Sequence, residues 1–180
     1  MVVAARPLIA IAAGAVLLLF GCGTTGSETP SPTTTTAVSP NFNAADVTFV
    51  RALVPHHLQG VRIAELGEQR ASRPETRMLA GAIVSTQRDE ITRLQGWLQT
   101  WQQPAAPTPA ADQRLAALQK APAAGFDAAF LDLLIAHQDE AVKLARTEAG
   151  AGANPNALAF ARQVDESRTA EIQEMRNYLG

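Results

Sequence analysis

From about Asn43 onward the apolar positions fall at three- and four-residue steps. Phe49, Leu53, His56, Gly60, Ile63 and Gly67 form one stripe, and Leu79, Ile83, Gln87, Ile91, Leu94, Leu98 and Trp101 form a second. Each predicts an amphipathic helix that buries one face. Phe130, Leu134, His137, Ala141 and Leu144 predict a third helix. Ala161, Val164, Arg168, Ile172, Met175 and Leu179 predict a fourth. No stretch alternates with the period of two that a strand requires. Turn chemistry separates the members of each pair. Asn43 is placed to cap the first helix, and "SRPE" offers Ser72 as N-cap, Pro74 in the first turn and Glu75 as reciprocal partner. Asn154-Pro155 opens the fourth helix.

The two pairs are copies. A shift of 81 residues superposes Asp46 on Asp127, Phe49 on Phe130, Leu53 on Leu134, His56 on His137, Pro74 on Pro155, Glu90 on Glu171 and Leu98 on Leu179 without a gap. Two copies of that length indicate a duplicated supersecondary element rather than a solenoid. Between them lies "QQPAAPTPAADQRLAALQKAPAAG", a Pro/Ala-rich crossover long enough to run the length of a bundle, with a short helix expected from Asp112 to Lys120. The expected fold is all-α: a four-helix ferritin-like bundle made of two helical hairpins, copies at about 43–101 and 124–180, joined by a long crossover.

The N-terminal residues carry a different pattern. Arg6 precedes an apolar run from Leu8 to Phe20, too short for the roughly 20 residues of a membrane-spanning helix, so residues 1–21 read as an export signal. "LFGC" resembles a bacterial lipobox, which makes Cys22, the sole cysteine, the expected lipidation site. Residues 22–42, dominated by Thr, Ser and Pro, bury too little apolar surface to offset their ordering entropy and read as a tether. The expected location is the extracytoplasmic face of the cell membrane, anchored through lipid on Cys22.

Composition narrows the function. With 15 basic and 17 acidic residues and a net charge of −2, the chain has no nucleic-acid footprint. A lipidated lone cysteine leaves no thiol for disulfides or catalysis. The Glu-x-x-His pairs of di-iron carboxylate bundles, a phosphate-binding glycine loop and a nucleophile elbow are all missing from the sequence. The expectation is therefore a non-enzyme.

The chemistry that remains is histidine and glutamate. Residue 73, in the first turn, is the midpoint of His56 and Glu90, and residue 154, in the second, is the midpoint of His137 and Glu171. Residues equidistant from an antiparallel turn share a height, so each histidine is expected to face its glutamate. A buried carboxylate needs a partner. Hydrogen bonding to imidazole supplies one, and a metal ion held by imidazole and carboxylate supplies another. The candidate metal ligands are His56, His57, Glu90 and His137, with copper or zinc as the ion. Gln87, Arg168 and Glu171 are supporting or structural groups, since a guanidinium one turn before Glu171 pairs with that carboxylate and opposes a cation there. Pro55 is expected to kink its helix. Trp97 and Trp101 are expected to pack at one end of the bundle.

"FVRALVPHHLQGVRIA", "AGAIVSTQRDEITRLQGWLQTW", "FDAAFLDLLIAHQDEAVKLA" and "AEIQEMRNYL" together resemble the bacterial domain-of-unknown-function 305 family over residues 44–180. The resemblance implies a duplicated ferritin-like domain, often exported, with members linked to copper binding. Where that family usually carries methionine, this chain has Leu53, Ile63, Leu134 and Leu144. Thioethers select cuprous copper, so their replacement weakens a Cu(I) reading. A structural or partner-binding bundle, with its His/Glu pairs serving only the interior, is the alternative.

Overall fold

The computed structural model describes residues 41–180; the expected export signal, Cys22 and all but the end of the expected tether lie outside the described residues. Five helices follow: α1 (Ala44–Arg70), α2 (Pro74–Thr100), α3 (Gln113–Gln119), α4 (Phe126–Ala151) and α5 (Pro155–Leu179), with no strand among the described residues. α1 packs on α2, α4 on α5, and the two hairpins join through α1 and α4, with the short α3 lying against α4. At 1.5 Å per residue the long helices run about 40 Å. Phe49, Leu53, Ile63, Ile83, Leu94, Phe130, Leu134 and Val164 form the core between them. α1 continues through Pro55 as one helix.

The helix starts follow from local chemistry. The Asn43 side chain accepts from the amides of Ala45 and Asp46, while the Asp46 carboxylate accepts from the Asn43 amide at 2.6 Å, a complete capping box. Asn154 caps α5 through the amides of Asn156 and Ala157. α4 begins at Gly125, whose φ of +79° lies in the left-handed region that favours glycine. The expected Ser72 cap does not form; Arg73 holds the N-cap position of α2 without a side-chain bond. Ser72 is engaged elsewhere. Its amide and hydroxyl, with the Arg73 amide, donate to Asp127 on α4 at 2.8–3.0 Å.

That bond has a counterpart. Asp46, the residue equivalent to Asp127, accepts from the amides of Ala153 and Asn154, which are equivalent to Ser72 and Arg73. The first helix of each hairpin therefore ties down the turn of the other. Burial pushes both carboxyls up, yet the hydrogen bonds they accept outweigh it and hold both below the ordinary range.

The crossover has few large apolar groups and is fixed by arginines on α1 instead. Arg51 donates to the carbonyls of Pro104 and Ala105 at 2.7 and 2.8 Å, and Arg70 to those of Leu118, Gln119 and Ala121. Between them the Gln59 amide donates to Asp112, the N-cap of α3. The crossover thus runs along α1 and sets α3 beside the middle of the α1/α4 contact. Trp97 and Trp101 stack at 5.9 Å, with Phe42 on Trp101 and Phe160 edge-on to Trp97, and these rings close one end of the core.

Candidate functional site

Polar groups penetrate the interior in two adjoining layers. The first is charged. His57 Nε2 lies 3.0 Å from Glu90 Oε2. Arg168, fully buried on α5, donates through Nη2 to Glu90 and through Nη1 to Glu171 Oε1 at 2.8 Å. Gln138 donates to the other Glu171 oxygen and accepts from Gln87 at 3.4 Å. The expected pairing of His56 with Glu90 and of His137 with Glu171 is therefore displaced by one residue, onto His57 and Gln138, which are themselves equivalent under the 81-residue shift. Equal distance from the turn sets a residue's height, but one residue turns the side chain by about 100° around the helix.

Electrostatics accounts for which of these groups are charged. Burial pushes the Glu90 carboxyl up, but the His57 contact and the Arg168 charge outweigh it and hold Glu90 below its ordinary value. Burial dominates at Glu171 and raises it, despite Arg168 and Gln138. Burial likewise lowers His57, against the pull of Glu90. A guanidinium shared by two carboxylates pairs the charges of this layer without any ion, while His57 Nδ1, Gln87 Oε1, Glu90 Oε1 and Arg168 Nε stay without a hydrogen-bond partner.

The second layer is nearly uncharged and sits where α1 meets α4. The rings of His56 and His137, equivalent residues, stack with centroids 3.8 Å apart and planes 15° from parallel. Gly60 makes the approach possible: a Cβ there would overlap the Gln87 side chain and stand 2.7 Å from His137 Nε2. His56 Nε2 lies 3.1 Å from the His137 carbonyl oxygen. Since a carbonyl only accepts, that nitrogen carries the proton and Nδ1 keeps its lone pair. His56 Nδ1 and both ring nitrogens of His137 are buried without a hydrogen-bond partner. Burial, with repulsion from neighbouring cationic groups, lowers His56 to about 3 and His137 to about 2, so both rings are neutral at pH 7.

Glu140, one turn beyond His137, completes the group. One ring nitrogen of each histidine and one Glu140 oxygen lie within 4.8 Å of one another, and Glu140 Oε2 is 3.9 Å from His56 Nε2. Neutral imidazoles with free lone pairs beside a carboxylate are the donors that Cu(II) and Zn(II) take. No thioether is close by sequence: Leu53, Ile63, Leu134 and Leu144 hold the nearby stripe, Met78 is exposed on α2 and Met175 is buried on α5. The donor set fits a borderline divalent ion better than a soft monovalent one.

Of the four expected ligands, His56 and His137 come together, whereas His57 and Glu90 belong to the layer organised by Arg168. Gln87, Arg168 and Glu171 all lie in that charged layer. Sequence reading missed Glu140, although "HQDE" places it three residues after His137, on the same helical face. It also missed the Asp46 and Asp127 braces, whose partners are backbone amides in the opposite hairpin.

The profile of the domain of unknown function DUF305 matches residues 46–179. Among solved structures, the chain is similar to CopM in its Cu(I)-bound form, with 31% identity and a TM-score of 0.67 over 74% of this chain and 94% of that one. It is also similar to a DUF305 fragment from Deinococcus radiodurans (27% identity, TM-score 0.70, 77% of this chain and 97% of that one). A secreted DUF305 protein from Streptomyces coelicolor is a further relative (26% identity, TM-score 0.69, 75% and 90%). CopM has also been solved in Cu(II)-bound and Ag-bound forms. No curated protein matches the chain.

Proposed function

This chain belongs to the DUF305 family, and we propose that it is an extracytoplasmic, non-catalytic protein that binds a divalent transition-metal ion, Cu(II) or Zn(II), at His56, His137 and Glu140. The observation that carries this reading is the stacked pair of neutral imidazoles, His137 buried and His56 partly exposed, with buried orphaned nitrogens beside a carboxylate. Buried polar atoms are almost always satisfied, so such a set calls for a partner. The copper- and silver-bound forms of CopM support a metal, and the secreted Streptomyces relative supports an extracytoplasmic location. The four long helices are read as a ferritin-like bundle. Residues 1–21 are read as a leader, Cys22 as the lipidated residue and residues 22–42 as the tether to the membrane.

In this reading His56 and His137 are neutral and each offers one unprotonated ring nitrogen, Nδ1 in His56, and Glu140 supplies one negative charge from the edge of the site. The Arg168 layer is structural. It positions His57 and Glu90 without contributing ligands, which is the part of the bundle that the stabilising alternative describes well.

Calorimetric titration of the full chain, purified in mild detergent, with Cu(II), Zn(II) and Cu(I) tests the proposal. Divalent binding tighter than about 10 μM is expected, abolished by His56→Ala and by His137→Ala and kept by His57→Gln. Weaker binding than that, or binding lost with His57→Gln alone, would overturn it.

A further inference from the structure

Gln59 and Glu140 are equivalent under the 81-residue shift, each three residues beyond its histidine, so they flank the stacked pair from either side. The start of α3 touches both. Asp112 accepts from the Gln59 amide, and Arg114 Nη1 lies 3.5 Å from Glu140 Oε1. Asp112 also binds Arg114 itself: its Oδ1 accepts from the Arg114 amide at 2.8 Å and lies 3.6 Å from the Arg114 Nε. A continuous polar chain therefore runs from α1 over α3 to α4, across the outer side of the histidine pair.

Glu140 is divided by this arrangement. One oxygen faces Arg114, the other faces His56 at 3.9 Å. A metal at the histidines and the guanidinium of Arg114 therefore draw on the same carboxylate, and the guanidinium's positive potential reaches both rings. Arg114 is half-exposed, which makes its ion pair with Glu140 weak and easily broken.

We propose that α3 is a strap over the metal site and that Arg114, paired with the outer oxygen of Glu140, opposes an incoming divalent cation with its charge and lowers the site's affinity. The inference rests on the metal-binding reading above. Its physical content is electrostatic: Arg114 draws on the negative charge of Glu140, and cation binding proceeds against the guanidinium's own charge. Asp112, fixed by Gln59, holds the strap in place.

The test is Cu(II) titration of the full chain and of Arg114→Gln, at low salt and again in 1 M NaCl. Glutamine keeps much of the stem and removes the charge. Arg114→Gln is expected to bind Cu(II) roughly threefold to tenfold tighter at low salt. The advantage should largely vanish in 1 M salt, where the screening length is about 3 Å. A purely structural role for Arg114 would weaken binding or leave it unchanged, with no such salt dependence. If the parent chain binds and Arg114→Gln binds no tighter, or its advantage survives 1 M salt, the strap is overturned while the metal reading stands. If neither chain binds, both are overturned.

Discussion

Arg168→Met removes the only cation from the charged interior layer while nearly conserving apolar volume. Arg168 is fully buried and holds Glu90 with one amino group and Glu171 with the other. Its loss leaves two carboxylates close together, with His57 and Gln138 as their remaining partners. Breaking a buried ion pair from one side costs about 3–5 kcal/mol. For a domain of this size that corresponds to a fall in Tm of roughly 10–15 °C. The sign with pH follows from linkage. Without Arg168 both folded-state carboxyl pKa values rise above their unfolded values, so protonation favours the fold, and the deficit is largest at pH 7 and shrinks as pH falls toward 5. Urea unfolding at both pH values, in chelator, measures this, and Arg168→Met/Glu90→Gln/Glu171→Gln should recover most of the loss. A deficit under about 1 kcal/mol at pH 7, against the 3–5 expected, or one that grows on acidification, would refute the reasoning.

Other consequences are equally direct. Gly60→Ala drives a methyl group into Gln87 and His137 and should destabilise by about 1–3 kcal/mol in thermal or urea melts. Asp127→Ala abandons two amides and a hydroxyl in the α1–α2 turn, at a cost of about 2–3 kcal/mol, and faster amide exchange at Ser72 and Arg73 should report it. Glu148, raised by burial and by Asp46 to about 8, contributes stability that is fully present below its unfolded value and lost as pH rises through 8. The Glu148 contribution to unfolding free energy should therefore fall from about pH 5 to 8 and level off above that, and Glu148→Gln should flatten that slope. Below about pH 6.5 the three histidines act in the other direction, because the unfolded chain binds protons that the fold refuses.

The helices and their pairing were legible because burial writes a 3.6-residue period into the chain and duplication wrote it twice. The same repeat brought His56 and His137 to equivalent positions, and in the structure they meet where the two copies join. What the chain did not display was angle and reach. Height along a hairpin gave His56 to Glu90, whereas the angular position of the next residue gives it His57. Arg168 crosses from α5 to Glu90 on α2, 78 residues away, and no local spacing records such a contact. Glu140 was passed over because it is exposed and its copy, Gln59, is uncharged. Comparing the copies at polar positions finds what the apolar stripe conceals: 57 with 138, 87 with 168 and 90 with 171 define the charged layer, and 59 with 140 defines the rim of the histidine pair.

Pulsed electron paramagnetic resonance of the Cu(II)-loaded full chain addresses the central claim most directly, since it counts imidazole nitrogens on the ion. Two imidazoles are predicted for the parent chain and for His57→Gln, and no histidine-coordinated Cu(II) at this site for His137→Ala, which no longer binds the ion. A spectrum without two-imidazole coupling in the parent, or one that changes with His57→Gln and not with His137→Ala, would contradict a metal site at the stacked histidines.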